Sequence, residues 1–217
     1  MKRNSNFYKT VNLSHQDVNH KIAFHEAGHA AAIYIGNRQK GLPPVYFNIW
    51  LSSSTDDFAS YPLTIVGNID GGRLIHTLPS SVEEATTGFS STEKAAYLCA
   101  FEADMINLLV GPVAEAKYSA LRHGELMNPL LVQANSLHRY GGSSDLESVY
   151  EYLGCFLLSE TLKEQKMAQL LMAAIRFVND RENWWSICAL ADHIACQDQT
   201  VFEYHQIIDV LESANPA

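Results

Sequence analysis

The stretch Ala23 to Ala32 reads AFHEAGHAAA, and within it His25, Glu26 and His29 have the spacing His-Glu-x-x-His. On an α-helix, four residues advance the chain by about 400° and ~6 Å, so His25 and His29 stand one above the other on one face. Two imidazoles so placed offer two nitrogen ligands to one zinc ion. Glu26 lies beside that face, near enough to act as general base on a zinc-bound water without ligating the metal. The pattern predicts metal-assisted hydrolysis. A catalytic zinc usually takes three protein ligands and keeps one position open, so a further ligand must come from elsewhere. Residue chemistry leaves four candidates open. Asp145 lies in GGSSDL, where its plain alternative role is a first-turn carboxylate that complements a helix dipole. Glu115 lies in LVGPVAEA among small neighbours, Glu102 sits among alanines in a helical pattern, and His138 follows no special spacing.

The elements that must position these groups follow from periodicity. Ser14 and Asp17 resemble an N-cap and a first-turn carboxylate, opening a helix expected to run to about Ile35 and to stop at Gly36 before Gly41-Leu42-Pro43-Pro44. Gly28 inside that helix costs roughly 1 kcal/mol relative to Ala, which is understandable if another element approaches closely beside the metal. Val45 to Leu51 is β-branched and aromatic and predicts a strand. Leu63 to Val66 and Arg73 to Leu78 predict two more short strands joined around Asp70-Gly71-Gly72. From Thr92 to Val110 apolar residues recur at helical spacing, and Gly111-Pro112 is expected to interrupt the run and restart it through Leu121. Further helices are expected from Ser143 through Leu157, over Lys163 to Val178, Trp184 to Ala195, and Val201 to Leu211. The predicted fold class is mainly α (α+β): residues 1–13 as a loose polar arm, then one helical domain over residues 14–217 with a small β-sheet beside the His-Glu-x-x-His helix.

Composition narrows the function classes. A net charge of −9 argues against nucleic acid and against an anionic membrane surface as partners, since both require a basic face. No run approaches the ~18 consecutive apolar residues of a membrane span, and MKRNSNFYKTVNLS lacks the apolar core of a secretory signal. Cys99, Cys155, Cys188 and Cys196 show no Cys-x-x-Cys pairing and predict reduced, buried thiols in a cytoplasmic protein. Tyr140 and Arg139 are expected to cover a core edge, and His76 to lie at the surface.

The motifs FHEAGHAA, LVGPVAEA and GGSSDLE, in that order, with NWWSICALADHIA near the C-terminus, resemble the peptidase domain of the FtsH-type ATP-dependent zinc metalloproteases. The resemblance spans about Ser14 to Leu211. It implies a helical peptidase domain with Asp145 as the third zinc ligand and with Glu115 supporting a ligand from behind, where such partners fix histidine orientation. It implies further that Gly72, Arg73, Leu74, Ile75, His76 and Thr77 form the edge on which extended substrate is laid. The activity implied is zinc-dependent endoproteolysis. Two departures stand out. No Gly-x-x-x-x-Gly-Lys-Ser/Thr occurs in the sequence, so ATP-driven unfolding is not implied, and residues 120–140 read as an insertion. The expected substrates are therefore peptides or unfolded segments, unless a homo-oligomer or a separate unfoldase or adaptor presents others. The rival reading is a non-catalytic zinc-binding module of the same fold that binds extended segments or regulates a partner, though it leaves Glu26 without a chemical role. Zinc-dependent hydrolysis of a non-peptide amide is a third.

Overall fold

The computed structural model describes residues 15–54, 64–128, 132–156 and 158–214. The arm over residues 1–13, the Ser14 cap and Leu157 lie outside them. The chain is mainly helical with one small antiparallel sheet, the class expected.

The helix that carries the histidines is longer than predicted. α1 (His15–Ala31) passes without a break through a π-helical turn (Ala32–Gly36) into α2 (Asn37–Gln39). Gly36, the expected stop, keeps helical dihedrals of φ −64° and ψ −40°. The helix ends instead at Gly41, whose φ of +66° lets Leu42 N–H turn back to Asn37 O at 3.0 Å and Gly41 N–H to Arg38 O at 3.0 Å. Two glycines offered two stops, and only the left-handed one closes the helix.

α3 (Val82–Ala85) is a short turn, and α4 (Ser91–Arg122) is the spine of the fold. Ser90 and Glu93 form a capping box that fixes its start. The break expected at Gly111-Pro112 is absent: α4 runs straight through Pro112. Proline inside a helix removes one hydrogen bond and costs ~3 kcal/mol. Here packing offsets that cost. Pro112 is buried, with Gly142 so close that a Cβ there would stand 2.8 Å from the proline Cβ. By length and composition α4 would pass as a membrane span, but 61% of its apolar window is buried inside the fold. It packs against α1, α5 (Ser143–Gly154) and α6 (Glu160–Asn179). α1 crosses α4 at Gly28, where a Cβ would meet Ala114 Cβ at 2.8 Å and Val110 O at 3.0 Å. The glycine inside the helix is the close approach anticipated.

The sheet has the order β2-β1-β3, with β1 (Phe47–Ser54) between β2 (Thr64–Gly71) and the two-residue β3 (Val201–Phe202). Register pairs Phe47 with Gly71, Ile49 with Ile69 and Ile49 with Phe202. Phe47, Ile49 and Phe202 are fully buried. The two strands expected on either side of Gly71-Gly72 are corrected: β2 continues through Gly71, and Arg73 to Leu78 is irregular. Leu74 and Ile75 have no ladder because their N–H groups donate to the Asp104 carboxylate, at 2.9 and 2.8 Å. Val201 and Phe202, expected in the last helix, are strand, and α8 (Tyr204–Ala214) begins after them. α7 (Arg181–Cys196) starts on the Asp180 cap. α5 ends at Gly154, short of the expected Leu157. The buried side chains of α1, α4 to α8 and the sheet form one contiguous apolar cluster. The cysteines are all free, but only Cys155 is buried; Cys99 and Cys188 are partly exposed and Cys196 is exposed.

Candidate metal centre

His25 and His29 project from the buried face of α1 toward the first turn of α5, where Asp145 waits. His25 Nε2 lies 3.2 Å from Asp145 Oδ2, and His29 Nε2 lies 3.4 Å from Asp145 Oδ1. One ligand atom from each of the three residues falls within 4.8 Å of the others, so this group could hold a metal ion.

The far side of each ring fixes its tautomer. His29 Nδ1 is 2.8 Å from the Asn107 carbonyl of α4. His25 Nδ1 is 3.2 Å from both Glu115 Oε2 and the Tyr140 carbonyl. Carbonyls and carboxylates only accept, so both Nδ1 atoms carry protons and donate them. The Nε2 lone pairs then point at a carboxylate, three acceptors facing one another. Asp145 Oδ2 is buried and has no hydrogen-bond partner among the described residues. An orphaned buried oxygen facing two lone pairs is what a cation satisfies, so these residues fit a metal.

Electrostatics give the same picture. Burial lowers the His25 pKa, but the Asp145 and Glu115 carboxylates, which would accept from a doubly protonated ring, and the charge of Glu26 push it up to about 10. Burial raises Asp145, and the positive field of His29 with the bonds to both histidines holds it well below the usual carboxylate range. Without a metal, a proton on His25 supplies the missing cation.

Glu26 is buried, 4% exposed, one residue round α1 from His25. Burial raises its pKa, partly countered by His25 and His29. It accepts no hydrogen bond from any described residue. Its neighbour is β2: a Cβ on Gly67 would lie 2.4 Å from Glu26 Oε1. The sheet thus rests directly on the Glu26 carboxylate.

Glycines admit the site elsewhere too. A Cβ on Gly111 would lie 2.2 Å from His29 Nε2, so the backbone of α4 is packed against the ring. Gly141, at φ +69°, comes close to both His25 and Glu115, where a Cβ would stand 3.1 Å from His25 Nδ1. The Tyr140-Gly141-Gly142 turn, at the end of a 3-10 helix (Ala134–Tyr140), therefore places the Tyr140 carbonyl behind His25 and starts α5 at once.

A cleft of about 440 Å³ opens over these groups, lined by His25, Glu26, His29 and Asp145 on one side and Val66 to Ile69 of β2 on the other. Of the residues implied as a substrate edge, Gly72 and Arg73 line it. Leu74, Ile75, His76 and Thr77 do not, and the strand edge beside the metal group is β2 itself. His76 is exposed, as expected. Glu115 lies behind His25, its Oε2 3.2 Å from Nδ1. Glu102 is turned away, in an ion pair with Lys166. His138 is exposed and lies 3.2 Å from Ser143 Oγ. Sequence reasoning missed Gly67, Gly111 and the carbonyls of Asn107 and Tyr140. A carbonyl leaves no mark on residue type, but LVGPVAEA did carry Gly111.

No family model matches this chain, and neither a curated protein nor a solved structure matches it.

Proposed function

We propose that the protein is a zinc-dependent metallopeptidase that cleaves peptides or unfolded segments. The observation that carries the reading is the convergence of His25, His29 and Asp145 with both imidazoles held by Nδ1 from behind, while Glu26 stands beside them without a hydrogen-bond partner among the described residues. Two neutral nitrogens and one carboxylate are a common donor set of hydrolytic zinc. When bound, zinc supplies Lewis acidity to a water and to the scissile carbonyl.

The chain's own residues do the rest. Glu26, with its pKa raised by burial, is suited to take a proton from water and to return it to the leaving amine. Asn107, Glu115 and Tyr140 hold the imidazoles in the ligating tautomer. β2 is an edge strand whose outer hydrogen-bonding groups face no neighbouring strand among the described residues. An extended peptide can add there as a further strand, above Glu26 at Gly67, with little dependence on its side chains. A cleft open on one side admits a chain, not a folded domain. The retained Glu26 favours hydrolysis over a zinc-binding module that only docks segments, since docking needs no base.

The test is turnover of unfolded casein and of a mixed peptide library by the zinc-loaded protein, beside Glu26→Gln loaded to the same stoichiometry. The reading predicts cleavage by the wild type and a loss of at least ~10²-fold in the variant. Equal background from both proteins, with zinc bound to each, would contradict it.

A further inference from the structure

We propose that Arg73 is the specificity-determining residue of this cleft, taking a substrate carboxylate at one fixed position to one side of the scissile bond. The inference rests on the peptidase reading above and names the substrate class within it: peptides with one acidic group in that position.

The root of Arg73 is rigid. β2 ends in Gly71 and Gly72, at φ +89° and +76°, a turn that only glycines make without strain. Gly72 N–H donates to the Tyr46 carbonyl at 2.9 Å. A Cβ on Gly72 would lie 2.7 Å from Ile33 Cδ1, so the turn is pressed onto the π-helical segment that follows α1. On the other side, Leu74 and Ile75 are tied to Asp104. Arg73 is thus fixed at the cleft by its backbone on both sides.

Its tip, by contrast, is free. The guanidinium makes no hydrogen bond or ion pair with any described residue. Burial raises the Asp104 pKa against three hydrogen bonds and the charge of the nearby Arg73, and both of its oxygens are engaged. Oδ1 accepts from Leu74, and Oδ2 accepts from Ile75 and from the Tyr152 hydroxyl at 3.1 Å. Five N–H donors in a planar fork match a carboxylate in two parallel bonds.

Charge makes the position selective. Arg73 is the only lysine or arginine among the described residues that line the cleft, whereas Glu26, Asp104, Glu115 and Asp145 all line it. Away from the metal group, an anionic substrate group therefore finds a basic side chain at one place among the described lining residues. Arg73 and the His25, His29 and Asp145 group line the same cleft, so a peptide laid along β2 passes both.

The carboxylate can come from a glutamate or aspartate side chain or from the end of a peptide, and the experiment separates the two. A set of internally quenched peptides carries one glutamate moved position by position across the cleavage site. Each has a glutamine and a lysine counterpart, and each is made with a free acid and an amide at its C-terminus. Zinc-loaded wild type, Arg73→Gln and Arg73→Glu are assayed for kcat/KM. The expected result is an advantage of about five- to tenfold for the acid at one position, or for the free C-terminus. It should vanish in Arg73→Gln, and Arg73→Glu should prefer a lysine there. In parallel, binding of the same peptides to zinc-loaded Glu26→Gln, with and without Arg73→Gln, is read by fluorescence anisotropy. If the wild type treats glutamate and glutamine, acid and amide, alike, or if Arg73→Gln keeps the preference, the proposal is overturned. If no peptide is cleaved the peptidase reading falls, and the anisotropy still decides whether Arg73 selects a carboxylate.

Discussion

Gly111→Ala places one methyl group against the metal centre, and its effect can be worked out in advance. The added Cβ would stand 2.2 Å from His29 Nε2, 2.4 Å from Cε1 and 2.6 Å from Cδ2. Comfortable contact needs ~3.5 Å or more, so either α4 or the imidazole must move by about 1 Å. α4 cannot withdraw easily, because it is packed on α1 at Gly28 and its Asn107 carbonyl holds His29 Nδ1 at 2.8 Å. The ring is therefore displaced, and Nε2 leaves the position from which it can share a metal with His25 and Asp145. Overpacking of this kind costs ~1–3 kcal/mol. If metal binding must restore the crowded geometry, that cost appears as about 5- to 150-fold weaker zinc affinity, at ~1.4 kcal/mol per tenfold. Helix propensity acts in the opposite sense, since alanine is better than glycine inside a helix by roughly 1 kcal/mol. The two effects are separated by measuring zinc affinity in competition with a chelator and the melting temperature of the metal-free protein. The expectation is weakened zinc binding beyond any change in melting of the metal-free form. Zinc affinity equal to wild type would refute the packing argument.

Two further predictions follow from the same geometry. Gly67→Ala brings a methyl to 2.4 Å from Glu26 Oε1; displacement of the base by ~1 Å should lower kcat by about 10²-fold while zinc affinity stays within about threefold, and a drop in both together would show that the sheet, rather than the base, had moved. In the metal-free protein, the His25 pKa stands above its ordinary 6.5, at about 10, so its contribution to stability is complete below pH ~6.5 and is lost as pH rises through about 10. Asp145, held below its ordinary 3.8, contributes above that value and loses its contribution as pH falls through the lowered one. Denaturant titrations of the metal-free protein from pH 4 to 10 should therefore show stability declining above pH ~6.5. His25→Gln should remove most of that decline, and an unchanged slope in the variant would contradict the assignment.

The group that could hold a metal was legible where residue type and spacing act together. His25 and His29 needed only helical periodicity, and Asp145 needed a glycine-serine entry into a helix plus the resemblance. Elements were legible where the apolar period was long, as in α6 and α7. The failures have a common physical cause: tertiary contacts overrode local signals. Pro112 reads as a break, but Gly142 packs on it and α4 continues. Gly36 reads as a helix stop, but the left-handed turn falls at Gly41. Arg73 to Leu78 reads as strand, but the Asp104 carboxylate takes the N–H groups that a ladder would need. Gly67 carried no signal, because the carboxylate it admits lies 41 residues earlier (67 − 26) on another element. The carbonyls of Asn107 and Tyr140 could not be read from side chains at all.

The most direct test of the metal centre is an equilibrium zinc titration of the metal-free protein against a competing chelator, with Asp145→Ala measured beside it. One zinc per chain, bound tightly by the wild type and at least ~10²-fold more weakly by Asp145→Ala, is the result this geometry predicts. Zinc bound equally well by both proteins, or no zinc bound by the wild type, would contradict the assignment of His25, His29 and Asp145 as one metal site.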